Sequence, residues 1–236
     1  MAPGHEAEPH AVSQPLMRLL QLSSPALPVG AYTYSQGLEW AVEQGTVHDE
    51  ASAQAWIGAV QEGAVARFEA PWVAQLLAAW LRGDDATLGT LDAEFLASRE
   101  SAELRAETLQ MGHSLRRLLL DLPDFPSGHA ARLCAIAEPS YPLAWSCAAS
   151  AWEIPAHDAL CGYLWSWAEN QVMAALKSVP LGQSAGQRML AILGTRMPAL
   201  AAAALQMSPE ETSNFAPGFA IASSRHETQY TRLFRS

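Results

Sequence analysis

Apolar residues in this chain recur at three- and four-residue intervals and rarely alternate with polar ones over four or more positions, so the sequence can build helices and has almost nothing from which to build a sheet. Over residues 98–122, Leu104, Met111, Leu115, Leu118, Leu119 and Leu122 follow the i, i+3, i+4, i+7 rule, while Arg99, Glu103, Arg105 and Glu107 lie elsewhere on the wheel. Pro123 ends that helix, because a proline disfavours helical geometry in the residue before it. Residues 156–178 repeat the pattern with Leu160, Tyr163, Leu164 and Trp167, punctuated by Pro155 and Pro180. Further helices are expected at 16–22, 35–44, 50–68, 71–81, 86–96, 130–137, 142–152, 184–193 and 198–207, with proline and glycine between them. The fold class is therefore all-α, a single-domain irregular helical bundle of about ten helices joined by short connections. Residues 1–13 form a polar, disordered arm, 14–213 the helical domain and 214–236 an irregular tail.

Half of the residues are apolar and 16% are charged, enough apolar material for one substantial core. Alanine runs at 148–151 and 199–204 suit close helix packing, within the fold or across a dimer seam. The formal charge of −10 repels polyphosphate and anionic headgroups, so neither nucleic acid nor membrane is an expected partner. Stretches without charge, such as 139–152, fall short of the ~20 apolar residues of a membrane span. Residues 1–13 lack the basic start and apolar run of a secretory leader, which makes the chain cytoplasmic by expectation. Cys134, Cys147 and Cys161 contain no C-x-x-C pair and read as small buried hydrophobes, not as a disulfide framework or zinc ribbon.

The tail differs in kind from the rest. It carries Phe215, Phe219, Ile221, Tyr230, Leu233 and Phe234 beside Arg225, Arg232 and Arg235, with no sustained period. A solvated tail is poor in aromatics, so this one buries them against its own bundle or against a partner, and aromatics beside arginine are the residue types enriched at binding hot spots.

Candidate chemistry is thin. Ser35 sits in Thr33-Tyr34-Ser35-Gln36-Gly37, which lacks the first glycine of a nucleophile elbow and reads as a helix N-cap. The stretch GQSAGQR at 182–188 lacks the Lys-Ser/Thr ending of a phosphate loop and follows no strand. His157 and Cys161 stand one helical turn apart, yet two ligands make no structural zinc site and no third is near in sequence. His5 and His10 lie in the arm, where ordering entropy opposes tight metal binding; His48, His113 and His129 are isolated. Arg99 and Glu103, one turn apart, read as a solvated pair on a helix face. No catalytic or metal constellation is assembled, no tightly bound cofactor is expected, and an interaction protein follows.

Three segments together resemble the urease accessory protein UreF family. The first is LLQLSSPALPVGAYTYSQGLE at 19–39, where Tyr32-Thr33 replaces the family's usual Phe-Ser. The second is Ser98-Arg99-Glu100 followed by Gln110-Met111-Gly112, and the third runs from LKSVPLGQSAGQ, around Lys177, to the tail SSRHETQYTRLFRS. The resemblance implies an all-α homodimer without enzymatic chemistry that binds UreD (UreH in some systems) and the GTPase UreG. Such an assembly docks on apo-urease and delivers nickel to the lysine-carbamylated active site as UreG hydrolyses GTP. Nickel is then handled by a passage through the complex, not by a tight site on this subunit. By the same resemblance Pro28, Gly30, Tyr32, Tyr34, Ser35, Gly37 and Glu39 shape a dimer or partner face, the two glycines by permitting close backbone approach. Arg99 and Glu100 become polar contacts of the central helix, and Lys177, Leu181, Gln183 and Gln187 lie on or near a partner face. Arg225, His226, Tyr230, Arg232, Leu233, Phe234 and Arg235 would order on UreD. The alternative is a metallochaperone holding nickel itself through His157, Cys161 or the amino-terminal histidines; a serine hydrolase reading rests on Ser35 alone.

Overall fold

A reciprocal cap at Asp49 and Ser52 starts the longest helical run in the computed structural model, which describes residues 14–236. The amino-terminal arm, with His5 and His10, lies outside the described residues. The run comprises α3 (Glu50–Val60), a π-helical segment (Gln61–Glu69) and α4 (Ala70–Arg82), closed by Gly83 in the left-handed region. Two helices separated near Pro71 were expected, and the chain instead passes straight through. Pro71 has no N–H to offer the carbonyl of Arg67 four residues earlier; the widened π turn takes up the ring, and that carbonyl accepts from Ser213 N–H at 3.1 Å.

Before this run lie α1 (Gln14–Leu22), a loop with a single 3₁₀ turn (Ala31–Thr33), and α2 (Leu38–Glu43). After it come α5 (Asp85–Ala97), α6 (Ala102–Asp121), α7 (Ser127–Ala135), α8 (Tyr141–Ala151), α9 (Ala156–Ser178), α10 (Gln183–Gln206) and α11 (Pro217–His226). No strand occurs among the described residues, in keeping with the all-α expectation. Two starts are later than expected. Ser101 is extended and accepts Leu104 N–H, so α6 begins after it and residues 98–101 form a connection. Likewise α2 begins after Gly37, not at Ser35.

At the centre lies α8, whose residues from Tyr141 to Ser150 are all buried between α4, α6 and α9. Its approach to α6 is possible because Gly112 has no side chain: a Cβ there would stand 2.1 Å from the carbonyl oxygen of Pro139. Cys147 is buried on α8 and its thiol is pushed up by that burial, whereas Cys134 is exposed and Cys161 half-buried, against the expectation of three buried thiols.

A break was expected before Pro198, but α10 continues through it. The ring's steric conflict falls on the carbonyl of residue i−4, which here is Gly194, and the helix gives up one hydrogen bond. By length and composition α10 is apolar enough to cross a membrane. Its Met189, Leu193, Met197 and Ala201 are nevertheless buried, mainly against α9, and Arg188 and Arg196 pair with Glu50 and Glu62 of the long run.

The tail departs most from expectation, since α11 is regular and its residues Phe219, Ala222, Ser223 and His226 are buried against α2 and α6.

Candidate functional site

The loop before α2 and the end of the tail are built on each other. Gly37 has φ +81° and faces the α11 backbone so closely that a Cβ would stand 2.7 Å from Ser223 N and 2.8 Å from the Ala222 carbonyl carbon. Gly30, by contrast, has open space around it, and its requirement is conformational: φ is +82°, which only glycine adopts without strain. Beyond α11 the chain turns back, and Glu39 accepts Leu233 N–H at 2.6 Å and Phe234 N–H at 3.0 Å. His226, fully buried, places Nε2 3.2 Å from Glu39 Oε2 and Nδ1 2.7 Å from Glu103 Oε2. Both ring nitrogens thus face carboxylate oxygens, and the ring ties Glu39 of α2 to Glu103 of α6. Arg232 adds a cation, 2.5 Å from Glu103 Oε1, and Glu227 caps the α6 N-terminus by accepting Ala102 N–H at 2.7 Å.

Behind this junction is a cavity of about 270 Å³ between the 22–31 loop, α6 and α9. Its walls are mostly apolar, with Gln36, Glu69, Arg99 and Glu107 among the polar groups. Gln36 donates from Nε2 to Glu107 Oε1 and accepts from Trp167 Nε1–H through Oε1, both at 2.7 Å. Glu107 also accepts the Ser236 hydroxyl at 2.8 Å. Burial raises the Glu107 carboxyl to about 7, only partly offset by the Gln36 and Ser236 hydrogen bonds. Glu69 pairs with Arg99 at 2.8 Å and accepts the Tyr163 hydroxyl at 2.6 Å; burial, and then that carboxylate, hold the phenol well above its ordinary range. The Arg99 guanidinium lies 4.4 Å from the Phe95 ring centre and 5.3 Å from that of Phe68. Arg99 is thus a buried ion-pair partner off the helix, and Glu103 serves the tail; the expected solvated Arg99–Glu103 pair does not form.

At the cavity rim Lys177 donates to the Tyr32 carbonyl at 3.4 Å, with its ammonium 5.6 Å from the Tyr32 ring centre and 5.5 Å from that of Phe234. Of the residues singled out in the sequence, Tyr34, Ser35, Gly37, Glu39, Arg99, His226 and Phe234 are turned into the protein and hold loop, tail and cavity wall together. Ser35 sits two residues before the Gly37 cap, its hydroxyl donating to the Ser236 main-chain oxygen at 2.7 Å while accepting from the first-turn amide of Glu39 at 3.4 Å. Pro28, Tyr32, Glu100, Lys177, Gln183, Gln187, Arg225, Tyr230, Arg232, Leu233 and Arg235 lie at the surface, and Gly30 and Leu181 are half-buried. Sequence reasoning missed Gln36, Glu69 and Glu107. The positive φ of Gln36, +52°, has no sequence signal, and the two glutamates look like surface residues of helices.

His157 Nε2 is taken by the Pro198 carbonyl at 3.0 Å, and its Nδ1 is 3.9 Å from Cys161 Sγ. Among the described residues no three His, Cys, Asp or Glu side chains are grouped so as to hold a metal ion.

The family model described as UreF matches residues 47–194. A urease accessory protein UreF from Azoarcus sp. (strain BH72) is 67% identical over 94% of this chain and 96% of its own length. A second, from Dechloromonas aromatica (strain RCB), is 60% identical over 94% of the chain and 97% of the relative. A Bordetella bronchiseptica relative carrying the name bifunctional urease accessory protein UreEF is 49% identical over 94% of this chain, which spans 52% of that protein.

Proposed function

The chain belongs to the UreF family of urease accessory proteins and takes part in urease maturation, and we propose that it acts there as a homodimeric, non-enzymatic scaffold linking UreD and the GTPase UreG on apo-urease. In this role it couples GTP hydrolysis by UreG to nickel insertion, and the assembly, not a tight site on this chain, handles the metal. The observation that supports this reading is the two-sidedness of the tail. One side, with Phe219, His226 and Phe234, is anchored in the bundle; the other leaves Phe215 82%, Leu233 70% and Tyr230 fully exposed beside Arg225 and Arg235. A rigid element that presents aromatics outward incurs little further ordering entropy when a partner binds. The fused UreEF relative supports the same placing, since its name joins this module to another accessory activity.

Deleting the tail does not test this, because removal of residues 227–236 also strips Glu39 and Glu107 of buried partners and so changes the loop and cavity wall along with the outward face. The clean test is the exposed pair Tyr230→Ala with Leu233→Ala. The double variant is expected to keep its Tm and to bind UreD at least about 30-fold more weakly, the loss of roughly 2 kcal/mol typical of a hot spot. Undiminished UreD binding would remove the tail from the interface. Nickel held by this chain alone would rest on the His157–Cys161 pair among the described residues, or on the amino-terminal His5 and His10; equilibrium dialysis showing a submicromolar one-to-one site lost in His157→Ala would replace the scaffold reading.

A further inference from the structure

The last residue of the tail grips both the loop and the cavity wall. Its main-chain oxygen accepts from Ser35 N–H, from the Ser35 hydroxyl at 2.7 Å and from Gln36 N–H at 3.0 Å, while its own hydroxyl donates to Glu107. Gln36 is thereby held in the left-handed region, unfavourable for a residue with a side chain, and in that conformation it bridges Trp167 to Glu107. A strained residue stays put only while its surroundings over-determine it. Here the determining contact comes from the tail.

We propose that residues 227–236 form a proton-controlled latch on the cavity, closed while Glu107 is protonated and released when it ionises, so that the cavity wall and the outward face of the tail change together. Ionisation places a negative charge in a buried wall. The groups facing it are Glu69 from the π-helical segment, Arg99 from the α5–α6 connection, Tyr34 and Gln36 from the loop, and Ser236 from the tail. Arg99 is the one cation among them, and it is already paired to Glu69. Ser236 is itself buried, but it closes a segment whose residues 230–233 and 235 are exposed, so lifting it admits water to the new charge in exchange for the single hydroxyl donor it withdraws; Gln36 then relaxes and the wall opens. Because burial moves the carboxyl upward, closure is favoured below its titration near 7 and lost as pH rises through it.

The latch is a property of the chain alone and stands or falls separately from any contact with UreD. Hydrogen exchange of the full chain, corrected for intrinsic rates, reads it through the Ser35 and Gln36 amides and those of Leu233 to Arg235. Between about pH 6 and pH 8.5 their protection is expected to fall together by about tenfold or more, while amides of α8 keep theirs. In Glu107→Gln, which keeps the shape and removes the titration, the fall shrinks to about threefold or less. Ser236→Ala is expected to show the loosened loop already at pH 6. The latch is overturned by wild-type protection that ignores pH, by an equal fall in Glu107→Gln, by a fall shared by every helix, or by Ser236→Ala leaving Ser35 and Gln36 as protected as before.

Discussion

A Gly112→Ala protein is expected to lose about 3–5 kcal/mol of stability, seen as a fall of roughly 10 °C in Tm or as failure to accumulate folded protein. The change is a single methyl in a helix, where alanine is intrinsically better than glycine by up to about 1 kcal/mol. Packing overrides that gain. The new Cβ would stand 2.1 Å from the Pro139 carbonyl oxygen and 2.6 Å from the Ser140 carbonyl carbon, both backbone atoms that no side-chain rotation moves away. Relief requires α6 to withdraw from the start of α8, which would open the most deeply buried helix of the bundle and loosen Ser140 N–H from Asp92. Gly89→Ala is the matched control: it lies on α5, with nothing within 4 Å of its Cβ, and is expected to be neutral or slightly stabilising. Thermal melts of the two proteins side by side decide the matter. A Gly112→Ala Tm within a degree or two of the parent would show that α6 and α8 can slide apart at little cost.

What the sequence revealed of the fold, and where it misled, both follow from what periodicity can see. It sees faces, so α9 was legible to the residue, from Ala156 to Ser178. It does not see what happens to an orphaned carbonyl. Prolines 71 and 198 look like breaks because the local chain offers no remedy, yet Ser213 repairs the first from 142 positions away along the sequence, and the second sits within a helix held along α9. Helix α11 was missed for a different reason. Its buried set Phe219, Ala222, Ser223 and His226 has perfect helical spacing, but two of the four are polar and satisfied only by Ser101, Glu39 and Glu103. A search for apolar stripes passes over such a face. The buried carboxylates escaped for the same cause: Glu69, Glu103 and Glu107 are ordinary glutamates until the tail and the α5–α6 connection fold over them. Motif likeness, by contrast, marked loop 28–39 and the tail as important without saying that they touch each other.

That mutual contact gives Glu39→Ala the second large effect. The carboxylate is 7% exposed and receives two tail amides and the His226 ring. Removing it while the tail stays docked would leave one nitrogen of the buried His226 ring and two buried N–H groups without their acceptor, a penalty of about 1–3 kcal/mol for each. The chain has a cheaper state available, in which residues 227–236 lift off, the Leu233 and Phe234 amides meet water, and Glu103, freed of Arg232, stays with His226. Global stability therefore falls only by the docking free energy of that segment, and the larger change is local. Trypsin at fixed pH should cut after Arg232 and Arg235 far faster in Glu39→Ala than in the parent, while the first scission within α4 to α10 keeps its rate. Glu39→Gln, which retains one acceptor oxygen, is expected to fall between the two. If the variant instead lost its core protection at the same rate as its tail, the last ten residues would be part of one cooperative unit with the bundle, and no partner or proton could move them separately.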